Sequence, residues 1–438
     1  MSVPAAHHTL GLSGRMRHAL LRKIRCPHCW HQFPAEDICW VASHPDLRND
    51  PVLSADETLR FVPSRYTAAG EGIDAMGSTC RRMACPRCHL LIPSVMLEHR
   101  ARILSIVGTP SCGKTFFLTA AAWMLRQRLE ECFALTFADA DPQSNQALTR
   151  NEQRLFLPED PNGLVTLDKT QLEGLQYSTV QIEPGQTTTL PEPYLFLVRP
   201  SAEHVYAAEA QERTELLCLY DNAGEHFLPG GDLATSPTTQ HLARAKALYF
   251  LFDPTQDVRF RRQLGGKSAD PQLTQVSRPF RQDTVAQEMA ARIRRMVSLS
   301  ASDRLSQPLV VVVTKSDVWR SLLPGVDIET DPYALEIRSD ALKLGGLDME
   351  RIARVSEAVE ELLRRSVPEF VSAVRGIAQE VTFVPVSATG CSPVMSDGLL
   401  RVRASQVRPW WVTVPFLMDL ASLGTIVGVR RATRVGAG

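Results

Sequence analysis

Apolar residues recur along this chain in short runs, each closed by a turn or a charged group. The clearest are Ile103–Val107, CFALTFADADP (Cys132–Pro142), PYLFLVRP (Pro193–Pro200), ERTELLCLYDNAGEHF (Glu212–Phe227), LARAKALYFLFDPT (Leu242–Thr255), PLVVVVTKSDVW (Pro308–Trp319) and VTFVPVSATG (Val381–Gly390). Runs of this length bounded by breakers predict buried strands, and the pair at Pro193 and Glu212, separated by a short polar stretch, reads as antiparallel. A helical rhythm follows the first run, with Phe116, Phe117, Ala120, Ala121, Met124 and Leu125 on one side. Glu350–Arg375 is also helical by period, and its Pro368 marks a break. Gln143–Pro193 is polar and punctuated, with no strong rhythm. RPWWVTVPFLMDL fits a last, buried helix; Pro415 and Asp419 interrupt the only late apolar stretch, so no membrane span is expected.

The first hundred residues follow a different plan. Residues 1–24 are polar and irregular, a flexible tail without the apolar core of a signal peptide. Cys26 and Cys29 then occupy a CPxC turn, and Cys85 and Cys88 a second one. Two such turns can direct four thiolates at one tetrahedral Zn²⁺; a redox pair is the rival, but it requires a thioredoxin-like helix start that is missing here. About 55 residues separate the knuckles, against roughly 15 to 20 in a plain ribbon. That interval, rich in Pro, Asp, Ser and Gly, is expected to loop out, and its Cys39 and Cys80 are either alternative ligands or remains of a second site. The expected organisation is a tail (1–24), a zinc ribbon with a long insertion (25–95), a nucleotide domain (100–424) with a basic insertion at about 256–306, and a C-terminal tail (425–438).

Composition narrows the partners. Lys plus Arg, 48, balances Asp plus Glu, 48, so no global charge points to nucleic acid or an anionic membrane. Any basic site is local: residues 257–304 hold ten Lys or Arg against five Asp or Glu. They read either as a solvated flank or as a source for a phosphate-reaching arginine among Arg259, Arg261 and Arg262. CxxC pairs used for metal, and an N-terminal stretch that does not read as an export signal, make a cytoplasmic location the expectation.

The chemistry concentrates in GTPSCGKT (Gly108–Thr115), lying between a predicted strand and helix. This is the context that GxxxxGK[ST] needs to offer successive backbone N–H groups to phosphates at a helix N-terminus. Gly108, Ser111, Cys112, Gly113 and Phe116 are expected around the nucleotide. Lys114 is expected on the β- and γ-phosphates, and Thr115 on Mg²⁺. Asp221 ends a strand where it can hold the Mg²⁺ water shell, and Gly224 can bond the γ-phosphate through its N–H, forming a switch that orders only with the third phosphate. In TKSD, Asp317 can accept hydrogen bonds from both the N1–H and the exocyclic amine of guanine while the Lys315 stem packs over the base; in SAT, Ser387 and Ala388 can present an N–H to the guanine carbonyl.

In this order GTPSCGKT, DNAGE, TKSD and SAT resemble the TRAFAC-class P-loop GTPases, Ras-like and translation-factor-like, over roughly residues 102–423. With the CPxC ribbon and the form LYDNAGE, the chain also looks like the bacterial double-GTPase families of multi-gene conflict systems. The resemblance implies an α/β doubly wound, mostly parallel sheet with one antiparallel edge strand. It also implies GTP/GDP and Mg²⁺ as ligands and a nucleotide-driven conformational cycle. Lys114 and Thr115 match the phosphate and metal positions, Asp221 the second metal position, and Lys315 with Asp317 the guanine reader. The magnesium-sensing threonine falls on Thr187, Thr188 or Thr189, with Thr188 taken as its representative. Glu225 stands where many relatives carry glutamine, so its catalytic role and a slow intrinsic rate are expected together. Pro110 stiffens the loop wall.

The leading expectation is a GTP-hydrolysing switch that engages protein partners, among them an effector, an activating protein or a second GTPase. A non-hydrolysing scaffold that docks through its ribbon is the alternative. A GTP-gated nucleic-acid binder is less favoured, because the aromatic interleaving of single-strand platforms is missing.

Overall fold

The computed structural model describes residues 20–167, 177–183, 186–221, 239–268, 270–274, 281–337, 342–424 and 426–429. The chain divides into two compact units: residues up to Ala101 together with Tyr177–Glu192, and Arg102–Gln176 together with Pro193–Gly438.

The larger unit is built on a seven-stranded sheet. Its strands are β1 (Ala101–Gly108), β2 (Leu135–Asp139), β3 (Tyr194–Pro200), β4 (Glu215–Asp221), β5 (Ala247–Phe252), β6 (Leu309–Val313) and β7 (Val381–Pro385), in the order β2-β3-β4-β1-β5-β6-β7. β1, β5, β6 and β7 pair in parallel. Every residue of β5 (ALYFLF) and β6 (LVVVV) is buried, as expected of central strands covered on both faces. β3 pairs antiparallel with β4, Tyr194 opposite Leu219, as the sequence predicts.

One expectation is corrected. The antiparallel strand β3 is not at the edge: β2 pairs antiparallel along its outer side, Leu135 opposite Pro200 and Asp139 opposite Phe196. β2 therefore satisfies the backbone groups that β3 would otherwise expose.

Among the described residues, the helices of eight residues or more are α1 (Lys114–Phe133), α2 (Gln146–Phe156), α3 (Gln282–Met296), α4 (Met349–Ser366), α5 (Pro368–Ile377) and α6 (Val414–Ala421). α2 lies in a stretch without an obvious rhythm because its buried face is small: Leu148, Glu152 and Leu155. α4 and α5 are separated at Val367, with Pro368 as first residue of α5, where its missing N–H costs nothing. The start of β1 is tied to α6 by a buried ion pair in which Arg102 Nη2 donates to Asp419 Oδ1 at 2.8 Å. Among the described residues no helix is long and apolar enough to cross a membrane.

The described part of the smaller unit is built mainly of short strands. Ile24–Arg25 pairs with Gln32–Phe33, and a four-stranded sheet runs Arg60–Phe61, Cys39–Val41, Met83–Ala84, Leu91–Ile92. The interval between the knuckles is thus partly structured. Asp50 accepts from the N–H groups of Val52, Leu53 and Arg60 and meets His89 Nδ1 at 2.8 Å. Asp74 accepts from Ser43, His44, Met76 and Ser78; burial pushes its carboxyl up, but these bonds outweigh it and hold it below the ordinary aspartate value. These two carboxylates supplement the small apolar cluster of Cys39, Val41 and Ala84.

The hairpin Tyr177–Glu183/Gln186–Pro191, Thr188 opposite Val180, clusters with this unit. It is held there by Gln181 N–H donating to Val52 O at 2.7 Å and by His28, whose Nδ1 lies 2.9 Å from Pro191 O and Nε2 3.1 Å from Leu91 O.

Candidate functional site

In the larger unit β1 ends at Gly108 and α1 begins at Lys114, leaving the loop Thr109–Gly113 to turn the chain between them. Gly108 is dictated by close approach, since a Cβ there would stand 2.8 Å from both Cys112 Sγ and the Leu251 carbonyl of neighbouring β5. The turn itself uses left-handed backbone at Ser111 (φ 62°) and Gly113 (φ 96°). Lys114 folds back into the loop it follows: its Nζ donates to Gly108 O at 2.9 Å and Thr109 O at 3.1 Å. Carbonyls are stand-in acceptors for that ammonium, and an anion cradled by the loop would compete for it.

The loop is braced from outside. Gln256 Nε2 donates to Pro110 O at 3.1 Å, and Thr109 Oγ1 donates to Gln256 Oε1 at 3.1 Å. Gln282, at the start of α3, accepts from Asp253 N–H and donates back to Asp253 O. Pro110 is therefore one point of a hydrogen-bonded wall and not merely a stiff residue.

β6 ends in Thr314-Lys315-Ser316-Asp317 and lies beside β5 and β7. Thr314 Oγ1 donates to Cys112 O at 3.0 Å, joining this segment to the glycine loop. Lys315 takes a left-handed conformation (φ 56°), a strain that a non-glycine residue carries only when its surroundings hold it. What holds it is Asp253, the residue following β5. Lys315 Nζ donates to Asp253 Oδ2 at 2.5 Å, and Asp253 Oδ1 accepts from Thr255 N–H and Oγ1. Asp317 is met by the β7 loop: Ser387 Oγ donates to its Oδ1 at 2.6 Å and accepts from Gly390 N–H at 2.8 Å. Burial pushes the Asp317 carboxyl above its ordinary value, and the Ser387 bond pulls it only partway back.

These segments line one cavity of about 490 Å³. Ser111, Cys112, Gly113, Lys114, Thr115 and Phe116 form one part of its wall; Asp253, Thr314, Lys315, Asp317 and Ala388 form another. A large fraction of the residues expected at the nucleotide thus converge on one space. Gly108 and Ser387 are bonded to that wall, Gly108 O accepting from Lys114 and Ser387 Oγ donating to Asp317. Asp221 ends β4, the neighbour of β1, with 8% exposure. The thiol of Cys112, pushed up by burial, senses the charges of Lys114, Asp253, Lys315 and Asp221.

Other expected residues are not among the described residues that line this cavity. Thr187, Thr188 and Thr189 sit on the hairpin of the smaller unit. Gly224 and Glu225 fall outside the described residues. Arg259 is engaged away from the cavity, its guanidinium bonded to Asp257 at 3.0 Å and to Glu369 at 2.8 Å. Among the described residues lining the cavity there is no arginine.

In the smaller unit Cys26, Cys29, Cys85 and Cys88 are buried, with all four sulfurs within 4.8 Å of one another. Both knuckles use the same backbone device: Trp30 N–H donates to Cys26 O and His89 N–H to Cys85 O, with Trp30 (φ 65°) and His89 (φ 58°) left-handed. N–H groups of His28 and Arg87 point at the Cys26 and Cys85 sulfurs at 3.4 Å. The Cys26–Cys88 and Cys29–Cys85 sulfurs are 3.6 Å apart. Tetrahedral Zn–S bonds near 2.3 Å require an edge of about 3.8 Å, so the cluster fits such an ion. Cys39 and Cys80 are outside it. Cys39 packs with Val41 and Ala84, burial pushing its thiol up to about 11, and Cys80 faces Asp74 at 3.8 Å.

No protein-family model matches the chain, and no curated protein matches it. Among solved structures it is similar to Sup35 complexed with GDP, at 12% identity and a TM-score of 0.23, over 68% of this chain and 39% of that one. The chain covers about two fifths of that protein's length, and so slight a likeness carries no functional argument.

Proposed function

We propose that the larger unit is a P-loop GTPase domain that binds GTP with Mg²⁺ and hydrolyses it slowly, its nucleotide state governing engagement of a protein partner. The observation that carries this reading is the single cavity lined by the glycine loop, by Lys315 and Asp317, and by Ala388. Lys114 would take the phosphates once it leaves the loop carbonyls. Thr115 and Asp221 would hold Mg²⁺, which neutralises charge on the phosphate oxygens when bound. Asp317, kept in place by Ser387, would accept two hydrogen bonds from guanine, from N1–H and the exocyclic amine, whereas adenine offers the wrong pattern.

In this reading the four cysteines hold one Zn²⁺ in a closed site that supplies folding energy and leaves no open position for chemistry. The smaller unit then serves docking, and a second GTPase is a fitting partner if the resemblance to double-GTPase systems holds. Competition binding decides the main claim: GTP and GDP should displace a fluorescent guanine nucleotide while ATP at tenfold higher concentration does not. Equal displacement by ATP would place this chain among nucleotide binders without a base preference. Single-turnover phosphate release no faster than in buffer, with bound GTP, would favour the scaffold.

A further inference from the structure

A short hairpin enters the cavity that no motif accounts for. β8 (Val394–Ser396) and β9 (Leu399–Arg403) pair antiparallel, with Ser396 opposite Leu399 and Met395 opposite Leu400. The two-residue turn between them is Asp397-Gly398, both left-handed (φ 51° and 73°). A turn of this kind matches the twist of its strands and fixes their register. At the other end β9 pairs with Leu164–Val165, and Val402 is buried among Leu155, Leu167 and Val407. The base of the hairpin is anchored and its tip is preset.

Side chains alternate across a strand, so Leu400 shares the face of Val402 one step closer to the tip. Val402 is 4% exposed, whereas Leu400 is only half-buried and lines the cavity together with Leu399 and Pro393. Leu399 itself is 53% exposed. Lys315, Asp317 and Ala388 line the same space. A leucine has nothing to offer a phosphate, but it can cover the apolar face of a nucleoside.

We propose that this hairpin is a preformed wall for the nucleoside half of the ligand, with Leu400 as the residue that packs against it; the proposal rests on the nucleotide reading above. The contact should be blind to the number of phosphates. It should add affinity to any ligand carrying the nucleoside and none to a bare polyphosphate.

The test compares Leu400→Ser with the unaltered full-length chain, using GTP, GDP and inorganic triphosphate as competitors in the presence of Mg²⁺. The substitution should weaken GTP and GDP by the same factor, about 5- to 10-fold, the loss expected for uncovering part of one leucine contact. Competition by triphosphate and the thermal midpoint should be unchanged, and Leu400→Met should restore most of the affinity. If the unaltered chain binds GTP and Leu400→Ser binds it equally well, the wall is wrong while the nucleotide reading stands. If triphosphate weakens in parallel, Leu400 acts through the fold and the proposal also falls. If the unaltered chain binds no nucleotide, the reading beneath the proposal has failed.

Discussion

The four-cysteine cluster and the nucleotide-sized cavity solve the problem of gathering polar groups in opposite ways. The cluster is two copies of one local device, each with its sulfurs aimed by its own backbone turn. The cavity is assembled from segments that are locally unremarkable and become a site only because parallel strands deliver their ends to one edge of a sheet. On the proposed reading, the first arrangement would place the free energy of folding in a bound ion, whereas the second places it in the sheet. Damage at the cysteines should therefore unfold its own unit, and damage in the cavity should cost ligand before it costs structure.

The largest effect is expected at the cysteines. Cys88→Ser should abolish retention of about one zinc per chain and remove amide protection from residues 24–92, since structural zinc contributes on the order of 10 kcal/mol. GTP affinity should change little. Protected amides in a metal-free protein would end the contrast. Next is Lys114→Ala, which should cut GTP affinity by about 100-fold, or ~3 kcal/mol, with the melting temperature of the free protein unchanged; titration calorimetry reads the affinity and scanning calorimetry the melting temperature.

Asp317→Asn sharpens the comparison through pH. Because its folded pKa is raised, protonated Asp317 favours folding, an advantage present below the ordinary aspartate value and lost as pH rises through the raised one. At neutral pH the amide should leave free-protein stability the same or higher, while moving preference from GTP toward XTP by ~2 kcal/mol. In the unaltered chain, GTP affinity should fall as pH drops through that raised value. An unfolded Asp317→Asn protein would show the residue to be structural.

Asp253→Asn should cost about 2 kcal/mol of stability in denaturant unfolding, less than a fully buried pair because the Lys315 side chain is 19% exposed. It should also weaken GTP, as the lysine loses what holds it. The smallest effect is expected at Arg259→Ala, an exposed residue bound to Asp257 and Glu369: within ~0.5 kcal/mol in stability and twofold in phosphate release. A drop of a hundredfold in release would restore it as an arginine finger.

What could be read without coordinates follows the same division. CPHC and CPRC, and the strand, glycine loop and helix around Lys114, carry their geometry in adjacent residues, so spacing alone points to them. Thr314, Lys315 and Asp317 were legible because they end an all-apolar run. Asp253 ends another such run and was passed over, since its pairing with Lys315 spans 62 positions and belongs to tertiary assembly. The same holds for Gln256 and Gln282, which act on a loop more than a hundred positions away. The place of β2 outside β3 was invisible because either strand could cap the sheet by pattern alone. SDGLL was a missed opportunity: an Asp-Gly pair between apolar residues is a strong hairpin signal.

The Tyr177–Pro191 hairpin leaves one practical consequence for anyone who wishes to cut this molecule apart. A fragment starting at Arg102 would carry the hairpin but not Val52, His28 or Leu91, so Gln181 N–H and Pro191 O would be left without their native companions. The two units are interleaved in the chain, and dissecting them takes an excision and a splice instead of a truncation.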